Sequence, residues 1–171
     1  MSVTESQIYA AARDLVSEAR AAHLTCGCAE SCTGGLVSGA ITAVPGSSEV
    51  MRGAVVSYAI AIKESVLGVS RAVLDDPALG AVSEPCALQM SEGACRVLGC
   101  DVSVSVTGIA GPGGEDPGKP VGTVWFGLCA GGQSRAERCL FDGGRDEVRR
   151  AAVLHALGLL REGIAKLSLD K

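Results

Sequence analysis

The sequence predicts a single α/β domain in three layers, a mixed sheet covered by helices on both faces, and three observations carry that prediction. Helical periodicity alternates with short apolar runs along the 171 residues. Gly131-Gly132-Gln133 joins two alternating segments and implies an antiparallel hairpin. The apolar content, 47%, comes from Ala, Val, Leu and Cys with one Trp, two Tyr and two Phe, small side chains that suit close helix-to-sheet packing.

The elements follow in chain order. Ile8, Ala11, Ala12, Leu15, Ala19 and Ala22 predict a helix over about residues 4–23, with Ser2 and Glu5 placed as a capping box. Thr25 to Ala29 reads as a strand feeding the polar turn Glu30-Ser31-Cys32-Thr33-Gly34-Gly35. Leu36, Val37, Ala40, Ile41 and Val44 then form a helical face, which Pro45-Gly46-Ser47-Ser48 stops. Gly53 to Tyr58 predicts a buried strand, Ala61 to Leu67 a short helix carrying Lys63, and Leu74 to Gly80 an irregular connection. Ser83-Glu84-Pro85 starts a helix that Gly99 closes. Val102, Val104 and Val106 alternate as a strand, and Thr107 to Pro120 is a polar loop of a length that usually carries function. Val121 to Ala130 and Arg135 to Phe141 are the hairpin strands, and a last helix runs from about Asp146 to Leu167 with acids in its first turn and Lys166 in its last.

The charge balance narrows the function. Net charge is −4 and no basic run occurs, so a nucleic-acid partner is not expected and a small molecule is. The first residues carry no basic-then-apolar segment and no stretch approaches the ~20 apolar residues of a membrane span, which predicts a cytoplasmic protein without a membrane partner. Eight cysteines inside apolar runs read as reduced, buried thiols. Cys26-Gly27-Cys28 with Cys32 departs from the paired Cys-x-x-Cys of structural zinc sites, so no metal is expected.

Three polar loops follow strands or helices and are candidates to meet: Glu30 to Gly35, Gly46 to Ser48, and Thr107 to Thr123. In the first, helix-start N–H groups could hold a phosphate or form an oxyanion hole beside Ser31 as nucleophile; the plain alternative is an N-cap serine with packing glycines. Lys63 taken alone reads as an exposed helix lysine. A serine nucleophile needs a base, however, and His23 and His155 both fall inside helical patterns, whereas a lysine serves once burial makes it neutral. Gly113 to Lys119 has the glycine and lysine spacing of a phosphate-binding loop, but Pro120 replaces the metal-binding hydroxyl and disfavours a helix at Lys119. Arg145, after Asp142-Gly143-Gly144, is either a plain helix-start arginine or a fork for a carboxylate or phosphate.

Taken together, Ala29-Glu30-Ser31-Cys32-Thr33-Gly34-Gly35, Pro45-Gly46-Ser47-Ser48, Gly108-Ile109-Ala110-Gly111-Pro112-Gly113-Gly114 and Lys119-Pro120-Val121-Gly122-Thr123-Val124-Trp125 resemble the CinA C-terminal domain family. The resemblance runs from about Thr4 to Leu160. It implies a three-layer α/β domain, commonly oligomeric, that hydrolyses the carboxamide of nicotinamide mononucleotide to nicotinate mononucleotide and ammonia by a serine and lysine mechanism without a cofactor. Ser31, Ser48, Tyr58, Lys63, Thr107 and Arg145 fall on the family's site positions. Where the family usually has Tyr-Ser-Asn-Glu-Ala-Lys, this chain has Tyr58-Ala59-Ile60-Ala61-Ile62-Lys63.

The resulting expectation is a nicotinamide-nucleotide amidase with Ser31 as nucleophile, Lys63 as base, and Ser48 and Tyr58 relaying protons or orienting the lysine. Ser48 is the competing nucleophile. Thr33, Gly34, Gly35, Thr107, Gly108, Lys119 and Arg145 are the candidate substrate-binding residues, and the partners expected are a pyridine nucleotide and further copies of the chain. The alternative, motivated by apolar Ile60 and Ile62, is a catalytically silent nucleotide-binding or interaction module of the same fold.

Overall fold

Five strands make one sheet in the order β2-β1-β3-β4-β5 in the computed structural model, which describes residues 3–169. They are β1 (Cys26–Glu30), β2 (Met51–Val56), β3 (Val102–Gly108), β4 (Thr123–Ala130) and β5 (Gln133–Leu140). β1 pairs in parallel with β2 and β3, and the β3-β4 and β4-β5 pairs are antiparallel, so the sheet is mixed. Gly131 and Gly132, both at positive φ, form the two-residue turn between β4 and β5.

From β1 the chain crosses to β2 on one side and then returns past β1 to β3 on the other. Two right-handed crossovers in opposite directions must place their helices on opposite faces. Accordingly α2 (Leu36–Thr42) lies with α1 (Glu5–Ala22) and α6 (Arg145–Leu169) on one face, and α4 (Arg71–Leu74) and α5 (Glu84–Leu98) lie on the other. The short α3 (Ile60–Ser65) follows the C-terminal end of β2.

β3 shows how the two faces differ. Val102, Val104 and Val106 enter the large apolar core under α1 and α6, together with Cys26, Cys28, Val124 and Phe126. The alternate residues face α5 with hydroxyls: Ser103 Oγ donates to Ser91 O, Ser105 Oγ to Ala87 O and Thr107 Oγ1 to Ala81 O, each at 2.6 Å. Buried hydroxyls need such partners, and α5 comes close enough to supply the first two because Gly127 has no side chain, while Ala81 lies in the connection before it. A Cβ there would sit 2.2 Å from Ala87 O.

Several boundaries differ from expectation. Thr4, not Ser2, caps α1: its hydroxyl accepts from Gln7 N while the Gln7 side chain accepts from Thr4 N, and Ser2 lies outside the described residues. The connection before α5 contains the one-turn helix α4, capped by Ser70. His23 ends α1 in the left-handed conformation rather than lying within it. The eight cysteines are free thiols, five of them buried. Among the described residues no helix is long and apolar enough to cross a membrane.

Candidate active site

The order of strands reverses between β1 and β3, and in open α/β sheets ligands bind outside the carboxyl ends of strands at such a point. Ser31 leaves β1 there, its N–H bonded to Val106 O of β3 at 2.9 Å. Ser57 leaves β2 beside it, with its N–H on Glu30 O at 2.8 Å.

Lys63 reaches this point from α3. It is 1% exposed, and its amine donates to Ser31 Oγ at 2.9 Å and to Ser57 O at 2.5 Å. Among the described residues it has no carboxylate partner. Burial pushes Lys63 below the ordinary lysine range, and nearby Cys86 and Cys32 act in the opposite sense and less strongly. Burying an amine without a charged partner raises the cost of its charged form, which is the sense of this shift.

Sequence alone leaves the helix-start N–H groups of the Ser31 turn open to a phosphate or an oxyanion. Three of them are instead occupied by Glu30, a fully buried side chain whose oxygens accept from Gly35 N at 2.9 Å, Val37 N at 3.1 Å and Ser38 N at 2.9 Å. The chain doubles back to allow this because Gly34 and Gly35 take φ of 61° and 99°, where a Cβ is strained. The N–H groups of Cys32 and Thr33 remain: that of Cys32 faces its own sulfur, and neither is taken by another of the described residues. Arg149 of α6 holds the same turn from the other side, with Nε on Cys32 O at 3.1 Å and Nη2 on Thr33 O at 3.0 Å. Thr33 is fully buried and its hydroxyl has no partner among the described residues.

The other expected residues divide. Ser48 lies in a one-turn 3-10 helix before β2, exposed and at the opposite end of the parallel pair from Ser31. The six residues of β2, at about 3.3 Å each, put roughly 20 Å between the two ends. Within one chain Ser48 therefore cannot meet Lys63, because parallel strands carry their entry and exit loops at opposite edges. Tyr58 follows Ser57 but is 65% exposed, and its hydroxyl has no partner among the described residues, so it does not orient Lys63 here.

Thr107 is turned toward Ala81 O, away from a ligand role, and Gly108 is needed for packing, since a Cβ there would lie 2.7 Å from Thr123 O. Lys119 spends its amine on Leu79 O at 2.5 Å, stapling the long loop to the connection before α5, and the loop around it is a tight turn without a helix. Arg145 opens α6 at the same end of the sheet, exposed, with Nη1 on Gly111 O at 2.9 Å.

Three residues of the site went unassigned in the sequence. Glu30 was visible only as part of a motif, and Ser57 contributes a carbonyl, which no side chain announces. Arg149 carried a signal, since it lies one helical turn after Arg145 and shares its face. A groove of about 550 Å3 between α1, α2 and α6 includes Arg149 and Leu36, but neither Ser31 nor Lys63 lines it.

The fold and this arrangement define a three-layer α/β protein with a hydrogen-bonded serine and buried lysine at the switch point of a mixed sheet. The chain belongs to the CinA C-terminal domain family, whose model matches residues 8–164. It is 44% identical over 156 residues to a CinA-like protein of Gemmatimonas aurantiaca, an alignment covering 91% of this chain and 36% of that protein. It is 48% identical over 147 residues to a putative competence-damage inducible protein of Symbiobacterium thermophilum, covering 81% of this chain and 34% of the relative. The chain thus spans about a third of the length of the curated relatives it matches. The crystal structure of a competence/damage inducible protein from Agrobacterium tumefaciens is similar over all of both chains, with a TM-score of 0.88 at 38% identity. A CinA superfamily protein from Klebsiella pneumoniae matches with the same TM-score at 32% identity, covering 93% of this chain and 98% of that one.

Proposed function

We propose that this domain is an amidohydrolase acting on the carboxamide of a pyridine mononucleotide, releasing ammonia and leaving the carboxylic acid. The observation that carries the reading is the 2.9 Å bond between Ser31 Oγ and a buried lysine amine that lacks an acidic partner. In the first step neutral Lys63 takes the Ser31 hydroxyl proton while Oγ bonds to the carboxamide carbon. The N–H groups of Cys32 and Thr33 are the donors available to the developing oxyanion. Collapse of the tetrahedral intermediate breaks the C–N bond, and the proton held by Lys63 goes to the departing nitrogen, which leaves as ammonia. A water then gives a proton to Lys63 and its hydroxide to the acyl carbon, the C–Oγ bond breaks, and the proton passes from Lys63 to Ser31 Oγ, restoring the serine and the neutral amine. Ser57 O holds the amine throughout, and Glu30 and Arg149 hold the turn. Arg145 and Lys119 each spend one donor on a backbone carbonyl, Gly111 O and Leu79 O, and both keep further N–H groups for the phosphate or ribose end.

The silent-module reading rested on Ile60 and Ile62. Both are exposed, at 47% and 38%, whereas Lys63 between Ile62 and Glu64 is buried, so the apolar pair does not displace the base. The test is ammonia release from nicotinamide mononucleotide by the purified protein. Wild type turns over, Ser31→Ala loses turnover, Lys63→Met loses about 10²–10⁴-fold, the range of a positioned base, and Ser48→Ala retains it. Activity surviving in Ser31→Ala, or binding without turnover in wild type, overturns the proposal.

A further inference from the structure

At the far edge of the sheet from Ser31 and Lys63, three side chains that the proposed reaction does not use converge on one point. Glu137 and Cys139 alternate with Arg138 on β5 and so share the face toward α6, where His155 stands. One carboxylate oxygen, one sulfur and one ring nitrogen lie within 4.8 Å of one another. His155 Nε2 is 2.6 Å from Glu137 Oε1 and 3.6 Å from Cys139 Sγ. We propose that Glu137, Cys139 and His155 form a site for one borderline divalent cation of the Zn2+ type, clamping β5 to α6 and leaving a fourth coordination position open.

The atom pattern separates this from a second nucleophilic triad. A relay splits the two ring nitrogens between a nucleophile and an orienting acid. Here the thiol and the carboxylate face the same nitrogen, which is the convergence that coordination requires. The spacing agrees: with Zn–S about 2.3 Å, Zn–N about 2.0 Å and a tetrahedral angle, sulfur and nitrogen ligands sit about 3.5 Å apart, and Cys139 Sγ and His155 Nε2 are 3.6 Å apart. The carboxylate is closer to the ring than a metal-bound oxygen stands, by about 0.7 Å at these bond lengths. It lies on an edge strand, partly exposed, where a small side-chain rotation supplies that distance.

The surroundings fit the role. Phe126 and Phe141 hold the imidazole from two sides, with ring centroids 4.5 and 6.2 Å away. Arg135 Nη1 bonds Glu137 Oε2 at 2.5 Å, leaving Oε1 as the single coordinating oxygen and steadying the carboxylate as ligands are usually steadied. A cleft of about 640 Å3, walled by Phe141, Leu154, Gly158, Leu159 and Glu162, opens over Glu137 and His155 and gives an ion and a water their access. One sulfur, one nitrogen and one oxygen suit Zn2+ or Co2+ rather than Mg2+ or Ca2+. Binding would release the Cys139 proton to solvent.

The test is titration of the reduced, metal-free protein with Co2+ alone, followed by competition with Zn2+. The expected result is one equivalent per chain, with visible bands of a tetrahedral ion and a thiolate charge-transfer band that Zn2+ abolishes. Cys139→Ser should lose the charge-transfer band, and His155→Gln should weaken binding by at least about 10-fold, the least that even residues behind the ligands cost. A measurement on the unaltered chain guards against misfolded variants: Zn2+ should protect Cys139 from alkylation, read by peptide mass. Absence of a saturable band, an undiminished band in Cys139→Ser, or Cys139 alkylation unaffected by Zn2+ overturns the proposal. None of these readouts depends on amidase turnover.

Discussion

Replacing Glu30 by glutamine changes no shape and tests how the Ser31 turn is held. The carboxylate accepts two N–H groups on Oε2, from Gly35 and Val37, and one on Oε1, from Ser38. An amide has one oxygen, so its best orientation keeps the first two and turns its NH2 toward Ser38 N–H, donor against donor. Hydrogen bonds to a charged group contribute about 1.5–3 kcal/mol each against about 0.5–1.5 for neutral ones, and a buried donor left unmet costs about 1–3. Partly offsetting this, a neutral amide is cheaper to bury than a carboxylate, and the net expectation is a loss of about 3 kcal/mol. For a chain of this size that lowers the melting temperature by about 6–12 °C. Thermal unfolding followed by far-ultraviolet circular dichroism reads it directly. A melting temperature within about 2 °C of wild type would refute the assignment of Glu30 as the anchor of α2.

The same geometry makes four further predictions. Lys63 is lowered from 10.5, so between its native pKa and 10.5 the unfolded chain holds a proton that the native chain does not, and stability rises with pH across that window. Lys63→Met should remove this rise, seen as the difference between the two denaturation series, since the buried thiols titrate in both. The kcat/KM profile should likewise climb with pH to a limb below 10.5, and a limb at or above 10.5 would contradict a desolvated base. Arg149→Met leaves Cys32 O and Thr33 O without their guanidinium, and it should lower kcat by about 10–100-fold with a smaller change in KM, as misplacement of a nucleophile does. Gly127→Ala puts a methyl 2.2 Å from Ala87 O, so α5 must move, and urea denaturation should show a loss of at least about 1–3 kcal/mol. An unchanged midpoint would mean that α5 is not so closely seated.

Much of the fold was legible because its signals are local. Ser83, Glu84 and Pro85 at one end and Gly99 at the other bound α5 through caps that act over four residues, and the structure places that helix at Glu84–Leu98. The Gly131-Gly132 turn needs positive φ at both positions, so the hairpin was legible there, although Gln133, expected in the turn, already pairs with Ala130 as the first residue of β5. The motif turns also told that Ser31 follows a strand and precedes a helix. The identity of the α1 cap was missed because Ser2 and Thr4 both suit it, and only the Gln7 side chain reaching back chooses between them.

What the sequence by itself determined was therefore the longer elements, though not the one-turn α4, the class of sheet they build and the polar turns that interrupt them, since periodicity, caps and turns depend on neighbours along the chain. Which serine meets Lys63 depended on the parallel pairing of β1 with β2, which carries Ser31 and Ser57 to one edge and leaves Ser48 at the other. The burial that lowers Lys63, the three N–H groups gathered by Glu30, and the meeting of Cys139 with His155 are likewise contacts between distant segments. A desolvation penalty or a shared acceptor exists only once those segments are packed, and so only the tertiary structure decided them.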